Sequence, residues 1–250
     1  MNLNVDLSNL EPRNLQGSAK LDVSSGTVFP KTMQKAYGIL LPKTDFSTRF
    51  SADLKGREVD YTLALLSNLA KIDSKGTFEP DTMKSDIAYD LNIKELSLFK
   101  PLTKAPLRGP FATAGRVVGD REAMQIKGSS DIAASRTTYD ISLKEMQPSQ
   151  LQAQIKNARL EKLIFMAGQP AFANGELNVD IRLDKLEPDD LRGDVKAAIS
   201  KAAFNEKVLK KSYRIDLPKT AFSSDLSAKL AGKNVAYTAA FVSNLAKINS

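Results

Sequence analysis

Hydrophobic residues recur at every second position along most of the chain. Leu3, Val5 and Leu7 show the pattern first, then Ala19, Leu21 and Val23, then Tyr37, Ile39 and Leu41. Phe46, Phe50, Ala52 and Leu54 keep the period, as do Val59, Tyr61, Leu63 and Leu65; Ile87, Tyr89, Leu91 and Ile93, and later Tyr139, Ile141 and Leu143, continue it. The residues between them are mainly Asp, Asn, Lys, Ser and Thr. Side chains alternate across a strand, so each segment is apolar on one face and wet on the other. Gly and Pro interrupt the pattern roughly every dozen residues, which predicts a meander of antiparallel strands and not βαβ units. Helix is expected only at "LEKLIFMAG" (Leu160–Gly168), with helical spacing and a terminal Gly, and at "PKTMQKAYG" (Pro30–Gly38).

The chain also repeats itself. "SNLAKI" at Ser67–Ile72 returns at Ser243–Ile248, an offset of 176. The same offset lays "LEPRNLQG" (Leu10–Gly17) on "LEPDDLRG" (Leu186–Gly193) and "LPKTDFS" (Leu41–Ser47) on "LPKTAFS" (Leu217–Ser223). Tyr37 falls on Tyr213, Gly56 on Gly232, Val59 on Val235 and Tyr61 on Tyr237, with no gap. Residues 3–74 and 179–250 are therefore two copies of one unit. A shorter echo aligns "YDISLKEMQPSQLQAQI" (Tyr139–Ile155) with "LNVDLSNLEPRNLQGSA" (Leu3–Ala19), and "LRG" at Leu107–Gly109 repeats Leu191–Gly193. Proline gives no ladder hydrogen and glycine tolerates tight angles, so this motif reads as a connector between neighbouring strands. The expected organisation is a first β-repeat unit at 1–76, an intervening β segment at 77–175 with a short helix near 160–168, and the second copy at 176–250. Together they read as one continuous elongated domain cut from a longer array. Within SNLAKI the alternating phase changes, which predicts a bulge or sharp bend at Ser67-Asn68 and again at Ser243-Asn244.

Composition removes chemistry. The sequence has no His, Cys or Trp, so it builds no Ser-His-Asp triad, thiol nucleophile, Cys/His zinc site or thiolate-held cluster. Asp189-Asp190 and Asp120 with Glu122 lie in turn-like stretches where Asp is ordinary, and Glu187–Asp190 has no loop of calcium ligands at the required spacing. The expectation is no enzyme, no metal and no cofactor. Formal net charge is +7, with 36 basic against 29 acidic residues, which favours anionic surfaces such as lipid headgroups. The charges are scattered, and only "LKKSYR" (Leu209–Arg214) is dense. Nucleic acid is not the expected partner, since no aromatic residues interleave with the basic ones. No apolar run approaches the roughly 18 residues of a membrane span. "NLNVDLSNL" after Met1 lacks the features of a signal peptide, so the chain is expected to be soluble and without an address of its own.

A sheet with one apolar face must cover it, because at about 25 cal/mol per Å² its exposure outweighs typical net stability. A dry β-sandwich, a closed barrel, or a trough filled by an apolar guest would each serve. Aromatic content is 7%, so the lining would be mostly aliphatic, which suits flexible acyl chains and equally suits a sandwich core. Candidate lining residues are Phe46, Phe50, Leu54, Val59, Tyr61, Leu63 and Leu65, with Phe222, Leu226, Leu230, Val235, Tyr237 and Phe241 in the second copy. Each also reads as plain core packing. Lys35, Lys210, Lys211 and Arg214 are candidates to meet phosphate at a rim, or to mark a solvated face. Open edge strands would invite edge-to-edge self-association.

The phrases "LxxLEPxxLxG", "YxIxLPKTxFS", "LxGxxVxYT" before "SNLAKI", "PLRGPFATAGRVVGD" and "LEKLIFMAGQPAFANGELNVDI" resemble the AsmA/TamB-type proteins of Gram-negative bacteria. That resemblance implies an all-β fold: a long antiparallel meander curled into a U-shaped, taco-like β-groove with an apolar interior and few short helices. It also implies a periplasmic location, anchorage in the inner membrane through parts absent from this chain, and transport of phospholipid acyl chains between the inner and outer membranes. The alternative expectation is a structural or adhesive β-repeat protein, a β-sandwich with a dry core and no ligand.

Overall fold

The computed structural model describes residues 1–11, 14–38, 42–100, 106–187 and 189–250. Its strands fall in two compact units, Met1–Ile126 and Lys127–Ser250. The first holds β1 (Asn2–Asn9), β2 (Leu15–Val28), β3 (Thr44–Gly56), β4 (Glu58–Ser67), β5 (Ala70–Glu79), β6 (Lys84–Ile93) and β7 (Phe111–Gly119), each antiparallel to the next. A further strand, β8 (Ala123–Ser130), carries the boundary. The second unit runs through β9 (Arg136–Lys144), β10 (Gln147–Arg159), β11 (Ala173–Glu187), β12 (Asp190–Phe204), β13 (Ala221–Ala231), β14 (Asn234–Ser243) and β15 (Lys247–Asn249), again antiparallel in chain order.

The fold is thus the all-β antiparallel meander that alternation predicts, and the sheet of each unit is open. Among the described residues, substantial strand-to-strand contacts join chain neighbours only. Among the described residues no second sheet packs across that of either unit, so the dry sandwich is not the architecture.

Both expected helices form. In α1 (Pro30–Tyr37) proline occupies the first turn, where its missing amide hydrogen is not needed, and Gly38 ends the helix at φ 68° with its N–H donating to the Gln34 carbonyl. The strand read through Tyr37, Ile39 and Leu41 is corrected at its start, because Tyr37 closes this helix; Ile39 and Leu41 lie outside the described residues. The other is α2 (Leu160–Met166). In the second copy the place of α1 is taken by a helical segment over Glu206–Tyr213, where the Asn205 side chain accepts the Val208 N–H at 3.2 Å.

The connector motif also sits between strands. Glu145 and Met146, at φ 51° and 63°, make the two-residue turn from β9 into β10, whose second residue is Pro148. Its aligned prolines, Pro12 and Pro188, lie outside the described residues.

Ser67-Asn68 marks a corner, and the hydrogen bonds explain the repeated letters. Ser67 Oγ accepts the N–H groups of Leu69 (3.2 Å) and Ala70 (2.9 Å). Asn68 reaches back to the preceding hairpin: its Oδ1 accepts the Asp45 N–H at 3.0 Å and its Nδ2 donates to the Lys43 carbonyl at 3.1 Å. In the second copy Ser243 Oγ accepts from Leu245 (3.2 Å) and Ala246 (3.0 Å), while Asn244 accepts from Ala221 (3.0 Å) and donates to Lys219 (3.1 Å). The bend is a full chain reversal from β4 to β5 and not a bulge within one strand. Ile72 therefore returns opposite Leu65, on the same face of the sheet.

Candidate functional site

Directly opposed residues of neighbouring strands share a face, so the pairing register sorts the candidate lining residues. Leu54 opposes Val59, Ala52 opposes Tyr61, Phe50 opposes Leu63, and Thr48 opposes Leu65, with Phe46 one step further on the same side of β3. In the second unit Leu230 opposes Val235, Ala228 opposes Tyr237, Leu226 opposes Ala239 and Ser224 opposes Phe241, with Phe222 in line. The seven candidates of the first copy thus share one sheet face, and so do the six of the second. The apolar rows run across many strands: Leu3, Leu21, Phe50 and Leu63 stand side by side, and Tyr89 follows beyond Ser74.

The face is aliphatic with a few organised rings. Phe50 stacks with Tyr61 at 6.5 Å between centroids, and the Tyr61 hydroxyl is 2.9 Å from Ser74 Oγ. Phe222 stacks between Phe204 (4.4 Å) and Phe241 (5.6 Å). The Phe46 ring lies against Gly26, where an added Cβ would come 2.6 Å from it, so the ring's position requires glycine there.

The cover over this face is thin. No large side chain among the described residues is fully buried. All seven first-copy candidates are half-buried, as are Phe222, Leu230 and Phe241. Leu226, Val235 and Tyr237 are 41%, 56% and 60% exposed, close to what an unpartnered surface gives.

The opposite face is ionic. Arg49 and Asp22 approach to 3.5 Å across β3 and β2, and Arg116 holds Asp86 through two contacts of 2.5 and 2.6 Å. The guanidinium keeps the Asp86 carboxyl below the usual carboxylate range. Of the cations proposed for a rim, Lys210 is paired with Asp216 at 2.9 Å; Lys35, in the last turn of α1, and Lys211 and Arg214 are exposed.

Sequence reasoning did not foresee a hollow of about 730 Å³ in the second unit. Its lining takes three consecutive residues from β11, β12, β13 and β14: Lys196, Ala197 and Ala198, for example, or Asp225, Leu226 and Ser227. Apolar-face neighbours two positions away, such as Val195 and Ala228, are absent from that lining. The hollow therefore opens on the hydrophilic face, with Leu226 and Ala197 contributing backbone. The signal for it was two short side chains, Ala198 and Ala240, at positions where the alternation elsewhere places long polar ones.

No family model, curated protein or solved structure matches the chain. Among the described residues no helix is long and apolar enough to cross a membrane, and no cluster of carboxylates is suited to a metal ion.

Proposed function

We propose that the apolar face is a track for hydrocarbon, and that the chain is a segment of a periplasmic, bridge-like lipid-transfer protein of the AsmA/TamB type. Acyl tails lie along the face while headgroups stay in water near the exposed cations. The observation that carries this reading is the pairing of continuous apolar rows with the lack of an opposing sheet: the face is built across many strands, yet among the described residues no strand of the same unit packs over it. Hydrocarbon needs width and apolarity without directed hydrogen bonds, and such rows offer that. The periplasmic setting, an inner-membrane anchor and phospholipid as cargo are what the resemblance of the chain's sequence phrases to AsmA/TamB-type proteins implies.

Detergent-free purification followed by lipid mass spectrometry tests it. Co-purifying phospholipid that diminishes when Tyr237 and Val235 are replaced by Ser supports the track. A lipid-free protein that also excludes apolar dyes would leave only a scaffold.

A further inference from the structure

We infer that the hollow on the hydrophilic face of the second unit is a binding site for a neutral, linear oligosaccharide. The inference goes beyond the lipid reading and does not rest on it, because it concerns the other face of the sheet.

The first copy carries the same hollow in a smaller form. A cavity of about 420 Å³ lies over β1–β4, and every residue lining it has a counterpart, 176 positions on, in the lining of the 730 Å³ hollow. A hollow that returns at equivalent residues is a product of the repeated fold and its register, and not of one chance gap between side chains.

The difference between the two lies in which side chains engage one another. In the first copy Arg49 approaches Asp22 at 3.5 Å, and Ser51 Oγ lies 2.7 Å from Thr62 Oγ1. The second copy has Asp225 and Ala198 at the places of Arg49 and Asp22, so the ion pair is gone. Ser227 and Thr238 keep the two hydroxyls on opposed residues without the bond between them. Among the described residues, Lys196, Asp225, Ser227 and Thr238 make no side-chain hydrogen bond or ion pair, and all four are exposed.

Two rows on the hydrophilic face bound the hollow. Asn178, Ala198, Asp225 and Ala240 stand side by side in one, and Asp180, Lys196, Ser227 and Thr238 in the other. Ala198 and Ala240 present methyl groups, a surface for the C–H face of a pyranose ring. Around them stand an ammonium, two carboxylates, an amide and two hydroxyls. Sugar hydroxyls both donate and accept, so one guest meets all of these groups together. The charges of the lining balance, Lys156 and Lys196 against Asp180 and Asp225, which favours a neutral guest over an anion or a polyamine. From β11 to β14 the hollow spans about 14 Å at the usual strand spacing, room for a chain of rings and not for one ring alone.

The test titrates the full chain with cellotetraose and with maltotetraose, following backbone amides by NMR. Saturable shifts with at least one of them are expected at the residues lining the hollow. Ala198→Asp together with Asp225→Arg writes the first copy's ion pair into the second, and is expected to weaken binding about tenfold. The first copy already holds that pair in the same register, so the fold accepts it, which unchanged amide shifts at the Ser243-Asn244 corner verify. The inference is overturned if neither tetrasaccharide gives saturable shifts, if the shifts fall away from the hollow, or if the double variant binds as well as the parent. It is equally overturned if lysine or spermidine moves the same amides at lower concentration than either sugar, which would make the site one for a charged guest.

Discussion

The two copies solve the same turn with different chemistry. Where the first has Asn9, Asn14 and Gln16, the second has Lys185, Asp190 and Arg192. In the first, Gln16 Nε2 donates to Asn14 Oδ1 at 3.1 Å. In the second, Arg192 Nε and Nη2 donate to the two oxygens of Asp190 at 2.6 and 3.1 Å, and Lys185 Nζ adds a bond of 2.8 Å. The backbone beside them is the same: Gly56 at φ 71° lies near Asn14, and Gly232 at φ 68° lies near Asp190. Charge is thus interchangeable at this turn, whereas the Ser-Asn corner is kept letter for letter. The difference teaches that the hydrogen-bonded corner fixes the chain path and the ion pairs adorn it.

The largest expected break in the comparison comes from two glycines on the apolar face. A Cβ at Gly17 would stand 2.2 Å from the Asp6 carbonyl oxygen, and one at Gly193 would stand 2.0 Å from that of Arg182. Gly193→Ala is expected to cost about 3 kcal/mol, because β11 is held by strands on both sides. Gly17→Ala should cost less, because β1 can move away from β2 at its free edge. Urea unfolding of the two variants checks the order.

Next in size is the corner. Asn68→Ala is expected to cost about 1–3 kcal/mol, through loss of bonds to Asp45 and Lys43 and the unsatisfied backbone groups left behind. Asn244→Ala should cost less, since Leu69 and Ala70 are buried at the first corner while Leu245 is exposed at the second. Hydrogen exchange at Asp45 and Ala221 reads each corner separately.

The smallest effect is acid dependence confined to one copy. Arg192 first, then Lys185, hold the Asp190 carboxyl down from 3.8 to about 2. A depressed carboxyl contributes its stabilisation fully above the unfolded value and loses it as pH falls through the folded one. The second-copy turn should therefore loosen between about pH 4 and pH 2, while the Asn14 turn stays unchanged. Writing the first copy's residues into the second, as Lys185→Asn, Asp190→Asn and Arg192→Gln together, should remove that dependence with little change at neutral pH. NMR titration of amides at both turns decides it.

Much of this was legible in the sequence for physical reasons. Alternation is local, so the faces of β1, β3, β4 and β6 could be read from Leu3, Phe50, Tyr61 and Tyr89 alone. Pro30 and Gly38 announced α1 through their own backbone limits. Tyr37 misled because its apolar spacing with Ile39 and Leu41 fits a strand, while the neighbouring Gly38 in a left-handed conformation ends a helix there. The hollow was illegible for another reason: it depends on which short side chains the register brings abreast, and Ala198 meets Asp225 and Ala240 only through pairings made between strands.

Strands that touch only their chain neighbours also set how the protein should come apart under load. Tension applied to the two ends of one unit would strip hairpins one after another from the rim inwards, because among the described residues no distant strand clamps them. Such a fabric unravels by steps instead of snapping at a single threshold, and a force trace with evenly spaced small rips would be its mechanical signature.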